Sequence, residues 1–486
     1  MVGQDKLLAG KWALVTGASY GIGRAISLTF AEHGANLWIA SRHQEHLRET
    51  AEDAKALGAE HIVIIEADLS NKDSVDELAQ IVSSKIDVLV NNAGILTKSS
   101  ALEGNPKDWD KMLQVDLEAP MRLTHHLAPA MSQREGGGHI INISSVAGLE
   151  PMAGFAAYSA AKFGLTGFSK STFEELRDKK VLVTTIFPGY VATEMTRDTT
   201  VPRDKMIRPE DIAQAALLPF RMSALACPTD IVVLTRAYIH QFARTMGGQD
   251  KLLYGRWALI TGATGGIGRA ISLAFAEHGA NLWITGRNEE KLKDTAKDAK
   301  ALGAGEVVVL KVDMTNNKAV DELVEHVANK IDILVNNAGL AVESSAMKGD
   351  PDEWEATMMK VNLLVPMRLT RRLAPAMIER EKGGYIINIS SVAGLDAMPG
   401  IGGYNAAKFG FTGWAKSTQQ ELKEHNVGVT TIYPGYVATE MTKDAPVDQD
   451  KMIRPEDIAQ AALLPFRMSP FACPTDIVVR PAQKLS

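Results

Sequence analysis

The chain contains itself. Asp5-Lys6-Leu7-Leu8 recurs as Asp250 to Leu253, Asn91-Asn92-Ala93-Gly94 as Asn336 to Gly339, and Ser144-Ser145-Val146-Ala147-Gly148 as Ser390 to Gly394. The offset is 245 residues up to Trp109 and Trp354 and 246 from Val115 and Val361 onward, so the second copy has gained one residue between Trp354 and Val361. A solenoid unit runs to about 20–50 residues. A repeat this long is a complete domain. The length of 486 residues allows two or three domains, and the duplication selects two, residues 1–233 and 248–486. The shared sequence stops near Val233 and resumes near Gly248, which leaves 234–247 as the linker. That linker is no Gly/Ser tether. Tyr238 and Phe242 lie four apart, on one face of a helical turn, and are expected to dock on one lobe and hold the halves in a fairly fixed arrangement.

Composition excludes several classes. With 45% hydrophobic residues, 23% charged residues and a net charge of -6, the chain resembles an ordinary globular protein able to bury large cores. It lacks the basic excess that nucleic acid requires. The two cysteines, Cys227 and Cys473, each precede Pro-Thr-Asp. They read as one reduced core position repeated, not as a disulfide or a metal site. His125-His126 becomes Arg371-Arg372 in the second copy, which suits a solvated helix face, and no metal is expected. No apolar run approaches the roughly 18 residues of a membrane span. Met1 to Trp12 shows no signal-peptide core, and the ending Gln-Lys-Leu-Ser is not a peroxisomal one. The cytoplasm is the expected compartment.

Within the first copy, short Val- and Ile-rich runs alternate with amphipathic stretches. The runs are Trp12–Val15, Leu37–Ala40, Ile62–Ile65, Val88–Val90, Ile140–Ile143 and Val181–Phe187, polar on neither face and therefore read as buried parallel strands. Between them Ile22–His33, Glu45–Leu57, Ser74–Ser83, Trp109–Met131 and Ala156–Lys179 carry helical spacing. This alternation predicts an α/β fold, two tandem Rossmann-type domains, each a doubly wound parallel sheet. In such sheets ligands bind beyond the carboxyl ends of the strands, where strand order reverses.

At the first of those ends stands Thr16-Gly17-Ala18-Ser19-Tyr20-Gly21-Ile22-Gly23, with Thr261 to Gly268 as its counterpart. Glycines let the backbone approach a pyrophosphate seated on a helix N-terminus. Gly17, Ser19, Gly21, Ile22 and Gly23 are the candidate cofactor residues of the first copy, and Gly262, Thr264, Gly266, Ile267 and Gly268 those of the second. The Gly-x-x-x-Gly-x-Gly spacing resembles the short-chain dehydrogenase/reductase family, single-domain type, over nearly the whole chain apart from the linker. An acidic residue after the second strand would hold the ribose hydroxyl of NAD, whereas an arginine suits the 2′-phosphate of NADP. Ala40-Ser41-Arg42 and Thr285-Gly286-Arg287 offer arginine and no carboxylate, which favours NADP(H) over NAD. The resemblance further assigns Asp68 and Asp313 to the adenine, and the Asn-Asn-Ala-Gly motif to its ribose, with Asn91 and Gly94 in the first copy and Asn337 and Gly339 in the second.

Tyr158 and Lys162, like Tyr404 and Lys408, lie four apart on helical stretches, so each pair shares one helix face. An ammonium beside a phenol favours phenolate and is expected to bring the tyrosine pKa down toward the operating range. A serine stands thirteen residues before each tyrosine, Ser145 and Ser391, and this matches the family's catalytic spacing. The resemblance then implies hydride transfer between nicotinamide and a ketone or alcohol. Tyr158 or Tyr404 would move the proton, Ser145 or Ser391 would steady the carbonyl oxygen, and Lys162 or Lys408 would hold the nicotinamide ribose. Thr193 and Thr439, after Pro188-Gly189 and Pro434-Gly435, would contact the carboxamide.

The family's fourth catalytic residue is an asparagine. The second copy has Asn362, the first Asp116, a departure. Pro120 and Pro366 lack the N–H that would bond the carbonyl of Asp116 or Asn362, and in the family that freed carbonyl holds a water of the proton relay. The relay is expected to tolerate the aspartate, and the extra residue before Asn362 is expected to form a helix bulge. Met195, Met206, Met441 and Met452 flank the substrate loops 190–208 and 436–454 and suit a forgiving pocket. The ending Pro-Thr-Asp-Ile-Val-Val looks like that of reductases acting on short 3-hydroxy acids and broad carbonyl substrates. Reduction of 3-oxoacyl thioesters, or a non-catalytic NADP-binding scaffold with one lapsed site, are the alternatives. Family members pair through long helices, so an internal pseudo-dimer and a homodimer both remain open.

Overall fold

The structure is a computed structural model that describes residues 6–97, 105–150, 154–235, 251–341, 353–380, 383–396, 398, 400–445 and 447–484. The expected linker helix with Tyr238 and Phe242 lies outside these residues. The chain divides into two compact units essentially at residue 235.

The first unit runs β1 (Trp12–Thr16), α1 (Gly21–Glu32), β2 (Asn36–Ser41), α2 (Gln44–Ala56), β3 (Ile62–Glu66), α3 (Lys72–Val82), β4 (Val88–Asn91) and α4 (Pro106–Leu113). It continues through a π-helical turn (Gln114–Glu118) into α5 (Ala119–Ser132), then β5 (Gly138–Ile143), α6 (Ala156–Leu176), β6 (Val181–Pro188), α7 (Pro209–Leu217) and β7 (Ala226–Thr235). The strands follow the order β3-β2-β1-β4-β5-β6-β7, all parallel. The second unit repeats this with β8 (Trp257–Thr261), α8 (Gly266–Glu277), β9 (Asn281–Gly286), α9 (Glu289–Leu302), β10 (Val307–Lys311), α10 (Asn317–Val327) and β11 (Ile333–Asn336). A long π-helical stretch (Trp354–Leu364) follows, then α11 (Val365–Ile378), β12 (Gly384–Ile389), α12 (Gly402–Leu422), β13 (Val427–Pro434), α13 (Pro455–Arg467) and β14 (Ala472–Pro481). Strand order reverses between β1 and β4, and between β8 and β11, which opens a crevice at the carboxyl ends of those strands.

Each sheet carries its own core. Leu14, Leu89, Ile140 and Val183 on adjacent strands pack under Leu123, Leu127 and Met131 of α5 and Leu78 and Val82 of α3. Leu259, Leu334, Ile386 and Val429 do so under Leu369, Leu373 and Met377 of α11 and Leu323 and Val327 of α10. Burying each such side chain contributes about 1.5–3 kcal/mol.

Four expectations change. The run Ile62–Ile65 is not buried on both faces: β3 is an edge strand, and Val63 is 40% exposed. Helix α7 was absent from the sequence pattern, and so was strand β7, whose Pro228 and Asp230 are turn-type residues. Pro228 is tolerated since the ladder to β6 begins only at Asp230, opposite Thr185. The π turn is present in both units, so the extra residue of the second copy does not create it; the second stretch is eleven residues against five. Finally, Met206 and Met452 are buried beneath the loops, whereas Met195 faces the crevice.

The units also differ inside. His139 on β5 faces Leu182 on β6 in register and bonds the Thr184 hydroxyl at 2.8 Å. Burial pushes its pKa down to about 3, so it is neutral. At the same place Tyr385 faces Gly428, and its hydroxyl reaches Thr430 at 2.8 Å and Cys473 at 3.0 Å. A side chain at Gly428 would sit 2.3 Å from the Tyr385 ring.

Candidate active site

In the first unit a cleft of about 630 Å³ runs across the ends of the central strands. That is the size of a typical small-molecule site.

One wall is the β1–α1 turn. Gly17 and Gly21 sit at φ +65° and +58°, where a side chain is strained. A Cβ on Gly17 would lie 2.9 Å from the Ala93 backbone, and one on Gly21 3.0 Å from the Thr193 methyl. Ser19 and Ile22 line the cleft between them, and Thr193 closes it from the β6 side. Gly23 does not line it: a Cβ there would meet the Gly17 carbonyl at 2.3 Å, so this glycine packs the helix onto the turn. Gly262, Gly266 and Gly268 repeat the three roles, with Thr439 opposite Gly266, and Thr264 and Ile267 occupy the Ser19 and Ile22 positions.

Asn91 and Asn337, expected to serve the ribose, are not equivalent. Asn91 is buried and donates to the Asn142 side chain at 2.8 Å. Its neighbour Asn92 lines the cleft. The Asn92 amide donates to the Thr16 and Gly17 carbonyls at 2.9 and 3.3 Å, and Asn337 does the same to Thr261 and Gly262 at 2.8 and 3.3 Å. Successive strand residues point to opposite faces, so a shift of one residue separates cleft from core. Gly94 lines the cleft, and any side chain there would strike Asp116 Oδ1 at 2.6 Å; at Gly339 the corresponding Asn362 oxygen lies at 3.0 Å.

Arg42 and Asp68 stand at the far end of the cleft, together with Tyr20 and His43. Partial burial opposes the Asp68 charge, but the Ser70 N–H and hydroxyl and the Arg42 and Lys111 cations together hold its pKa below the usual value. In the second unit the Thr315 N–H leads the same effect on Asp313, against burial and aided by the Thr315 hydroxyl, Arg287 and Lys360. Tyr20, 43% exposed, packs at 5.5 Å on His43 and 5.3 Å on His46. The second copy has Gly265, Asn288 and Lys291 there. Tyr20, His43, Asn92 and Lys111 escaped the sequence reading; for Asn92 the second copy's Asn337 was the available signal.

At the near end Ser145, Tyr158 and Lys162 converge. The Lys162 ammonium lies 5.6 Å from the Tyr158 ring centre and Lys408 5.7 Å from that of Tyr404, so each pair shares a helix face. The ammoniums also donate to the last carbonyls of β5 and β12, Ile143 and Ile389, both at 3.2 Å. Ser145 and Ser391 hydroxyls bond the phenols.

The expected drop in tyrosine pKa does not occur. Burial raises Tyr158 above its ordinary value; Lys162 and Ser145 pull it down, Asp116 pushes it up, and burial prevails. Burial takes Tyr404 to about 12 against the Ser391 bond. Both phenols are therefore proton donors at neutral pH.

Beneath the lysines the units differ. The Asp116 carboxylate lies 3.2 Å from Lys162 Nζ, both almost wholly buried, and accepts the Ile95 N–H at 3.2 Å. Asn362 instead accepts the Leu340 N–H at 3.0 Å and donates to the Leu340 carbonyl at 2.7 Å. Burial raises the Asp116 pKa against the pull of Lys162. Burial lowers Lys162, but Asp116 and Tyr158 outweigh it and hold the ammonium above its usual value. Lys408, buried without a carboxylate, falls to about 8. In both π turns the residue before the proline donates five residues back, Ala119 to Gln114 and Val365 to Lys360. Pro120 and Pro366 then supply no N–H to the carbonyl of Asp116 or Asn362, or to that of Val115 or Val361.

His126, with Arg122, pairs with Asp76 on the α5 surface, as Arg368 and Arg372 do with Asp321. Among the described residues no helix is long and apolar enough to cross a membrane.

The sequence matches the short chain dehydrogenase family at residues 11–204 and again at 256–450. It is 27% identical to the peroxisomal hydratase-dehydrogenase-epimerase of Neurospora crassa over 93% of this chain, which spans 56% of that protein. It is 35% identical to the 3-oxoacyl-acyl-carrier-protein reductase FabG of Chlamydia muridarum, over 44% of this chain and 91% of that one. A metagenomic short-chain oxidoreductase crystallised with NADP aligns at 35% identity over 47% of this chain and 98% of its own, with a TM-score of 0.42. With two such domains in tandem, the chain belongs to the short-chain dehydrogenase family of oxidoreductases.

Proposed function

We propose that each domain, residues 1–233 and 248–486 on either side of a linker at 234–247, is an NADP(H)-dependent site for interconverting a small carbonyl compound and its alcohol. The carrying observation is one cleft with Ser145, Tyr158 and Lys162 at one end and Arg42, without a carboxylate at the turn after β2, at the other. The backbone approach at Gly17 and Gly21 fits a pyrophosphate beside the α1 N-terminus. The bound dinucleotide would supply or accept the hydride. The chain's own part is then local. Arg42 and Arg287 meet the 2′-phosphate, Asp68 and Asp313 the adenine, and Thr193 and Thr439 the carboxamide. Asn92 and Asn337 hold the glycine turn. Ser145 and Ser391 donate to the carbonyl oxygen, and Tyr158 and Tyr404 deliver its proton. Lys162 and Lys408 anchor the ribose.

The test is the decay of NADPH absorbance with a panel of ketones. Turnover with wild type, and its loss in the Tyr158→Phe, Tyr404→Phe double variant, is the expected result. A second reading, reduction of 3-oxoacyl thioesters, draws on the similarity to the Chlamydia reductase; it predicts turnover with acyl-carrier substrates alone. Sedimentation of the full chain would separate a monomer holding an internal pair from a homodimer.

A further inference from the structure

The two sites share serine, tyrosine and lysine, yet the charge beneath the lysine differs. Around Lys162 the titratable groups are Asp116, from the π turn, and Tyr158, from its own helix; β5 contributes the Ile143 carbonyl. The Asp116 oxygens face Lys162 and the Ile95 N–H. Around Lys408 stand Tyr404 and the Ile389 carbonyl, while Asn362 is turned to both main-chain atoms of Leu340. A buried lysine paired with a carboxylate adds no net charge to its cleft, whereas an unpaired ammonium adds one. Oxidation of a nicotinamide also adds one positive charge. Like charges in a poorly hydrated site repel strongly.

We propose that Asp116 determines which redox form of the dinucleotide the first site loads: by cancelling the Lys162 charge it favours the oxidised form, while the second site, with Asn362, favours the reduced form. Asp116 acts through Lys162 and is a positioning residue for charge. The inference rests on the reading that both clefts hold a nicotinamide dinucleotide.

Titration calorimetry on the full chain, with NADP⁺ and NADPH separately, tests it without isolating either site. Asp116→Asn gives a chain with asparagine in both sites, and Asn362→Asp one with aspartate in both. The ratio of Kd for the oxidised form to Kd for the reduced form is expected to fall about tenfold or more from the first variant to the second, the effect of one nearby charge at intermediate dielectric. Wild type is expected to show two classes of site for NADP⁺. A second readout is pH. In asparagine sites NADP⁺ binding should tighten as pH rises through about 8, where Lys408 loses its proton. Aspartate sites should stay flat there, because Lys162 is held above its ordinary value. Equal ratios in the two variants, or equal weakening of both redox forms by Asp116→Asn, would overturn the proposal. Should Asn362→Asp not fold, Asp116→Asn alone decides, by raising the ratio of oxidised-form to reduced-form Kd above that of wild type or leaving it unchanged. Failure of wild type to bind either form would instead remove the dinucleotide reading on which the proposal stands.

Discussion

The two ends of the cleft have diverged to different degrees. At the serine–tyrosine–lysine end Ser145, Tyr158 and Lys162 and their counterparts are unchanged, and the spacings agree to a tenth of an ångström: 5.6 and 5.7 Å from ammonium to ring, 3.2 Å from ammonium to strand carbonyl. At the end lined by Arg42 and Asp68, Tyr20, His43 and His46 stand against Gly265, Asn288 and Lys291, while the arginine and the aspartate are kept. On the proposed reading, proton transfer demands one geometry, while a phosphate tolerates many partners of the right charge. The difference teaches where each unit is constrained.

The sharpest attempt to break that contrast is at the tyrosines. Removing both hydroxyls should cut turnover by about 10²–10⁴-fold, the usual worth of a general acid; single Tyr→Phe variants should leave the other unit's rate intact, measured as initial velocity. Core damage comes next. Leu89→Ala and Leu334→Ala should each destabilise one unit by about 2–5 kcal/mol, seen in thermal melts as an early transition for that unit. Similar effects are expected because the strand neighbours match: Leu14 and Ile140 flank Leu89 as Leu259 and Ile386 flank Leu334. At the variable end, Arg42→Ala and Arg287→Ala should each weaken NADPH binding about tenfold or more, as loss of a charge-assisted hydrogen bond, with little effect on NADH. An equal loss for NADH would place the arginines elsewhere.

The smallest effect concerns stability and pH. Lys408 has a folded pKa near 8, below its ordinary 10.5, so between those values the unfolded chain binds more protons and stability rises with pH. Lys162 has a raised folded pKa; its contribution is present below the unfolded value and fades only as pH climbs past it. Asp116→Asn should therefore give the first unit a melting temperature that rises, relative to wild type, between about pH 8 and 10.

Much of this was legible in the chain. Periodicity located six of seven strands per unit, and the Tyr-x-x-x-Lys spacing placed both groups on one helix face. What escaped did so for physical reasons. Proline and aspartate in Ala226–Thr235 mask a strand whose ladder starts after them. Asn91 and Asn92 differ by one step of a period-two pattern, which no single copy reveals. The phenol pKa was misjudged because spacing shows the lysine but not the burial that outweighs it. Asp116 and Lys162 lie on different elements, and only packing brings them to 3.2 Å.

Tandem copies carry a hazard, since similar neighbours can exchange strands while folding. The His139–Leu182 and Tyr385–Gly428 pairings act against that exchange. A β12 strand threaded beside β6 would drive the Tyr385 ring into Leu182, because that ring fits only where its partner has no side chain. A β5 strand beside β13 would leave a void over Gly428. Each half thus carries a lock that accepts only its own key, so misassembly of one sheet with the other's strand is penalised sterically, and recombination between the two coding halves must move both members of a pair together.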